Sequence, residues 1–327
     1  MASFIKIVCE KRSYSLVALA CCCLAQQVFA AEGISPLQPG ATTGTPAGAL
    51  PPPGFYLMMD ADYESGKLKN SEGNTATTPD GKQIKASNVS SVVALTWVTD
   101  KELFGARYAA AIAQPYKWAS TEFSTTDGST TVDSQGLVNT AITPVILSWD
   151  LKNGYFISTG LTVFADNGDF SYDYNAAAGR NVKNAKAIGN DYWTFEPSFA
   201  VTHMGEQWAL TFNNMLDYNT TNHTTDYQSG MTYYLDVSAT RHINKFTVGL
   251  LGNYTKQITD DEVNGVAVAA VDGLSGSGNR SEHILAGPLL SYDFGSFSLT
   301  SRLLVSLQAK NDADVSFAHL GVSIPLR

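Results

Sequence analysis

Charged side chains set between large apolar neighbours are the residues of this chain best placed to do chemistry. Glu196 lies inside Trp193-Thr194-Phe195-Glu196-Pro197-Ser198-Phe199, and Asp60 and Asp62 lie inside Leu57-Met58-Met59-Asp60-Ala61-Asp62-Tyr63. Arg107, Asp217, Asp236, Arg302 and His319 recur in the same kind of setting. Their chemistry is that of charge: they can attract, repel or hydrogen-bond a solute, or pair with one another. Other chemistries find less support. The histidines (His203, His223, His242, His283, His319) have no close metal-ligand spacing. Asp166-Asn167-Gly168-Asp169 and Asp260-Asp261-Glu262 lack the ligand order of a calcium loop and read as solvated turns. No Gly-x-Ser-x-Gly nucleophile elbow is present, and no cofactor is implied.

The elements that must position these charges have a period of two. In 191–203 the residues Trp193, Phe195, Pro197, Phe199 and Val201 alternate with Thr194, Glu196, Ser198, Ala200 and Thr202. Met204-Gly205-Glu206 then turns the chain, and Trp208, Leu210 and Phe212 alternate with Ala209, Thr211 and Asn213. Such alternation across a tight turn is a β-hairpin, of a half-buried sandwich or of a membrane barrel. Similar runs fall at 55–63, 88–98, 105–118, 137–149, 154–165, 230–241, 245–256, 282–292, 296–308 and 314–325, giving about twelve strands. Each is long enough to cross a bilayer at a tilt.

The connections decide between the two. They alternate long and short: 64–87 is long and 99–104 short, 119–136 long and 150–153 short, 166–190 long and 204–205 short, 219–229 medium and 242–244 short, 257–281 long and 293–295 short, with 309–313 a mild break in the trend. An up-and-down antiparallel barrel with tight periplasmic turns and long external loops predicts this pattern, and a Greek-key sandwich does not. All five tryptophans (Trp97, Trp118, Trp149, Trp193, Trp208) sit near predicted strand ends, as interfacial girdles require. Within 137–149 the phase is ambiguous, and a bulge near Pro144 would reconcile it.

Residues 1–30 read as a cleaved export signal, with Lys6, Lys11 and Arg12 ahead of a short apolar core and Val28-Phe29-Ala30 as the cleavage site. All four cysteines (Cys9, Cys21, Cys22, Cys23) lie in this leader, which leaves no disulfide framework. The whole chain holds 21 basic and 30 acidic residues; losing Lys6, Lys11, Arg12 and Glu10 leaves 18 and 29, a net charge of −11 that argues against nucleic acid. Residues 31–53 form a Pro/Gly-rich lead-in, either a flexible tail or a plug in the barrel mouth, and 54–327 form the barrel.

With the aromatic face outward, the lumen receives Asp60, Asp62, Arg107, Glu196, Asp217, Asp236, Arg302 and His319. It also receives Met58, Phe156, Phe164, Met215, Tyr234, Leu251, Leu285, Leu289, Leu304 and Phe317. The charges form either a selecting constriction or an interior ion-pair network, and the apolar groups either a surface for a hydrophobic solute or plain packing.

These segments also resemble a known family. Pro52-Pro53-Gly54-Phe55-Tyr56, 95–108 (LTWVTDKELFGARY), 147–154 (LSWDLKNG), 191–204 (DYWTFEPSFAVTHM), 226–230 (DYQSG), 256–265 (KQITDDEVNG) and 278–295 (GNRSEHILAGPLLSYDFG) are similar, in order, to the MetA-pathway of phenol degradation family. The resemblance implies an outer-membrane β-barrel transporter linked to uptake of aromatic or other hydrophobic compounds. One departure is the end, Ser323-Ile324-Pro325-Leu326-Arg327, where many outer-membrane barrels carry a terminal aromatic used in assembly. The His-x-Ser-Asn-Gly type of signature of outer-membrane phospholipases is absent, so the chain reads as a non-enzyme. The expected partners are outer-membrane lipid, a small hydrophobic solute passing through the lumen and the barrel-assembly machinery. The alternative is a general narrow porin or a structural barrel.

Overall fold

Strands whose side chains alternate between lipid and lumen bury both faces only if the sheet closes on itself, because an open edge has no hydrogen-bond partner in hydrocarbon. A computed structural model shows that closure. It describes Glu32 and residues 35–78, 80–125, 128–176 and 178–326. The export signal, its cleavage site and the four cysteines lie outside the described residues.

Twelve long antiparallel strands form the barrel. They are β1 (Gly54–Lys69), β2 (Gln83–Leu103), β3 (Ala106–Thr125), β4 (Ala141–Lys152), β5 (Tyr155–Phe164) and β6 (Thr194–Met204), followed by β7 (Trp208–Asn219), β8 (Thr232–Ile243), β9 (Phe246–Gln257), β10 (Glu282–Asp293), β11 (Ser298–Lys310) and β12 (Ser316–Leu326). Each pairs with its sequence neighbours, and β1 closes the ring on β12 from Phe55↔Leu326 to Ser65↔Ser316. The short connections are true turns. Asn153 and Gly154 both take positive φ (52° and 79°), the conformation that matches the twist of two paired strands.

The outer face is apolar. Phe199 is 49% exposed and Leu250 70% exposed on the isolated chain, positions that face hydrocarbon in a bilayer. At the turn end Phe55 stacks on Trp97 (5.9 Å), and Phe246, Tyr292 and Phe294 form a chain of edge contacts. Tyr63, Trp118, Trp193 and Tyr218 are exposed toward the loop end. An apolar belt between two aromatic girdles makes this a membrane-spanning barrel of the outer-membrane type. Among the described residues no helix is long and apolar enough to cross a membrane.

Two expectations need correction. The connections at 64–87 and 119–136 are shorter than read. Strands β1, β2 and β3 run beyond the barrel rim, and a further strand, Gly128–Leu137, pairs back on β3. Thr and Val in this polar stretch favour extended backbone, a propensity that a loop-like composition concealed. The predicted 137–149 strand accordingly divides: its first residue, Leu137, ends the projecting arm, and β4 starts at Ala141. The register between β4 and β5 shifts between Ile142 and Val145, which places an irregularity at Pro144 as expected.

Candidate functional site

Residues 35–50 lie inside the barrel, and 51–53 are exposed where the segment leaves it. Beginning at the loop end, the Tyr192 hydroxyl donates to the Glu32 carbonyl (2.7 Å), and Asn222 Nδ2 donates to the Glu32 carboxylate (2.8 Å). Ser35 donates to Asp217 on β7. Lower down, Thr42 donates to Asp236 on β8 through both its hydroxyl (2.6 Å) and its amide (3.1 Å). Gly48 N donates to Thr202 Oγ1 on β6 (2.9 Å), Ser148 on β4 donates to the Gly48 carbonyl (2.8 Å), and Ser158 on β5 donates to the Ala47 carbonyl (2.7 Å). At the turn end Arg107, at the start of β3, donates to the carbonyls of Leu50 and Pro51. The segment therefore traverses the lumen from the loop end to the turn end before β1 begins.

Glycine makes this path possible. Gly40 and Gly44 hold positive φ (77° and 84°), which an L side chain adopts only at a cost. A Cβ on Gly40 would sit 2.7 Å from Leu304, and one on Gly44 would collide with Leu289. The turn between them is closed by Thr43 N to Gly40 O (3.1 Å). It rests on the inner wall formed by Leu251, Leu285, Leu289 and Leu304 with Phe317, all buried.

Ten of the lumen-facing residues, the eight charged ones with Tyr234 and Phe317, separate into groups. Asp60, Asp62, Arg302 and His319 meet on β1, β11 and β12. His319 Nδ1 is 2.7 Å from Asp62 Oδ1, its Nε2 is 3.6 Å from Asp60, and Arg302 reaches the His319 ring at 2.9 Å. Through its other terminal nitrogen Arg302 donates to three carbonyls of the traversing segment: Gly40 (3.2 Å), Ala41 (3.0 Å) and Thr43 (2.9 Å). Glu196, Asp217, Tyr234 and Asp236 line a second wall on β6, β7 and β8, with exposures of 4%, 0%, 2% and 2%. Arg107 stands apart at the turn-end mouth, and Phe317 belongs to the apolar wall. Both readings of the lumen charges thus have a counterpart: a hydrogen-bonded network of charged groups on one side, and a carboxylate wall that meets the lead-in on the other.

The loop end carries a lock of its own. Lys183 is buried, donates to Asn190 Oδ1 (2.8 Å) and feels the Glu32 charge. Burial holds its ammonium well below the ordinary lysine range, at about 8. Burial also pushes the Glu32 carboxyl up, against the pull of Thr225, Lys183 and Asn222, and it pushes the Tyr192 hydroxyl up. Asp261, read from the sequence as part of a solvated turn, is instead fully buried. It accepts from Tyr227 (2.7 Å), Gly230 N (2.8 Å), Gln257 (2.8 Å) and Asn279 (3.1 Å), four donors that fill its acceptor sites and leave it a structural role. Asp169 likewise ties the arm to the loop, accepting from Leu137 N (2.7 Å). Among the described residues there is no group of three metal-ligating side chains.

Sequence reasoning missed Ser35, Thr42, Gly48, Glu32 and Lys183. The recurrence of Gly40, Gly44 and Gly48 at intervals of four was the available signal, but a flexible linker would show the same composition.

Comparison with known proteins places this geometry. Residues 65–323 match the model of a family described as "Putative MetA-pathway of phenol degradation". An outer membrane channel from Pseudomonas putida F1, known from its crystal structure, has the same fold: TM-score 0.66, 14% identity, with 89% of this chain and 100% of that chain covered. Weaker likenesses include the Pseudomonas putida toluene transporter TodX (TM-score 0.42, 10% identity, 90% and 96% covered). Another is the translocator domain of the autotransporter NalP from Neisseria meningitidis (TM-score 0.46, 8% identity, 84% and 88% covered). No curated protein matches the chain.

Proposed function

We propose a transport function on this premise: the chain belongs to the MetA-pathway of phenol degradation family. It is an outer-membrane channel for small hydrophobic solutes, aromatic ones included, which pass through the lumen without energy coupling. One observation carries the reading: the lumen has two unlike walls. Leu251, Leu285, Leu289, Leu304 and Phe317 offer an apolar surface, and Glu196, Asp217 and Asp236 a polar one. A water-filled diffusion pore has no need of the first, and a merely packed core has no use for the second. The name of the Pseudomonas putida F1 protein, an outer membrane channel, agrees with this reading. In it Asp60, Asp62, Arg107, Glu196, Asp217, Tyr234, Asp236, Arg302, Phe317 and His319 line the solute path, and the barrel-assembly machinery inserts the chain.

A second reading, a narrow porin or a structural barrel, draws support from the N-terminal segment that crosses the lumen. Two experiments separate them. Single-channel recording of the purified chain in planar bilayers should give small conductance that responds to aromatic solutes; large ohmic conductance indifferent to solute favours the porin. A deletion strain should grow poorly on aromatic carbon sources, and unaffected growth across such substrates would refute the uptake reading.

A further inference from the structure

The hydroxyl of Thr42 is held in a way that a side chain in a mere plug does not need. It donates to Asp236 Oδ2 (2.6 Å) and at the same time accepts from Asn213 Nδ2 (3.0 Å). Asp236 is itself fixed by Asn253 Nδ2 on its other oxygen (2.7 Å), and Asn253 is in turn held by the Thr255 hydroxyl (3.0 Å). Asn213, Asp236 and Asn253 are all buried, on adjacent strands β7, β8 and β9 in direct cross-strand register. This polar spot borders the apolar wall. Leu285 on β10 is the cross-strand partner of Asn253, and Leu251 lies two residues from Asn253 on the same face of β9. The glycines that flank Thr42 rest on that wall, Gly40 against Leu304 and Leu285, and Gly44 against Leu289 and Leu251.

We propose that Asn213 and Asp236, ordered by Asn253, form a hydroxyl-recognition site of the transport path, and that Thr42 occupies it in place of a solute. The inference rests on the transport reading above and names its solute class: a compact apolar body bearing one hydroxyl, such as a phenol or a small alcohol. The hydroxyl takes over both hydrogen bonds of Thr42, and the body lies on Leu251, Leu285 and Leu289 where Gly40 and Gly44 now rest. A hydrocarbon of the same shape leaves Asp236 Oδ2 without a donor, and a carboxylate solute is repelled by Asp236. Arg302 is the cation facing this region, and Asp60, Asp62 and His319 already surround it.

The test uses the full chain in detergent and fluorine NMR line broadening of 4-fluorophenol, 4-fluorotoluene and 4-fluorobenzoate. The expected result is saturable binding of the fluorophenol with an advantage of at least about tenfold over the fluorotoluene, the worth of a hydrogen bond to a charged group. Asp236→Asn should erase that advantage. Thr42→Val, which keeps the shape and removes the competing hydroxyl, should strengthen binding of fluorophenol and fluorotoluene alike, because either must displace the segment, and keep the fluorophenol advantage that Asp236→Asn erases; unchanged affinity for both overturns the competition by Thr42. Heat-dependent gel migration confirms that both variants retain the closed barrel. Equal binding of fluorophenol and fluorotoluene overturns the hydroxyl site but leaves the transport reading standing. Preferred binding of the fluorobenzoate, or saturable binding of none of the three, overturns the site as well, while conductance and growth decide the transport reading independently.

Discussion

Gly48 is the position where the fit of the N-terminal segment against the barrel is most sharply testable. Its φ lies outside the left-handed region, so substitution by alanine brings no backbone strain and tests space alone. The added Cβ would sit 2.7 Å from Thr202 N and 2.9 Å from the Phe156 carbonyl. Both are backbone atoms of strands paired to each other at Phe156↔Thr202, so the wall cannot yield without breaking its ladder. The segment must lift instead. Lifting loses the bonds from Gly48 N to Thr202 and from Ser148 to Gly48, at about 0.5–1.5 kcal/mol each. Any residual overlap adds about 1–3 kcal/mol. A total near 3 kcal/mol multiplies the displaced population roughly a hundredfold. Gly48→Ala should therefore raise single-channel conductance or its open fraction. It should also speed amide exchange across residues 40–50 while the barrel still shows heat-dependent gel migration. Gly252→Ala is the control, because its Cβ would meet only the Leu285 carbonyl at 3.8 Å. Wild-type conductance and wild-type exchange in Gly48→Ala would refute the reasoning.

Three further outcomes are expected. Arg302→Met removes the donor shared by the Gly40, Ala41 and Thr43 carbonyls and the positive charge near Asp60 and Asp62; losing hydrogen bonds to a charged group costs about 1.5–3 kcal/mol, read as a lower urea midpoint and faster exchange at residues 40–43. Phe199→Arg places a charge on the lipid face and should cost about 2–4 kcal/mol in reversible folding into bilayers if Phe199 lies near the midplane, whereas a change within about 0.5 kcal/mol would contradict its outward orientation. For Lys183, with its folded value at about 8 against 10.5 ordinarily, the unfolded loop keeps a proton that the folded loop has lost between those limits. Loop stability contributed by this group therefore rises as pH goes from about 8 to about 10.5 and is flat below. Chymotryptic cleavage at Tyr192, normalised to a control peptide, should slow across that window in the wild type and show no such trend in Lys183→Met.

The barrel was legible because its signals are local. Alternation of side chains, as in Phe195, Pro197 and Phe199 against Glu196 and Ser198, depends only on the pleat of one strand. The alternation of long and short connections depends only on neighbouring strands pairing in order. Together they determine twelve strands, the outward face and the inward phase of Glu196. Composition misled where polar residues form strands: Thr130, Thr131 and Val132 belong to a projecting arm that exists because β3 continues past the rim to pair with it.

Two things were left to the tertiary structure. One is how the lumen charges sort. Asp62 and His319 are 257 residues apart and become partners because β1 closes on β12, whereas Glu196, Asp217 and Asp236 share a wall because their three strands are adjacent. The other is the course of residues 35–53. They have no strand or helix periodicity, and their partners lie far along the chain, at Thr202, Asp217 and Asp236. A segment without regular structure takes its shape from the surface that receives it, and that surface exists only once the barrel is closed.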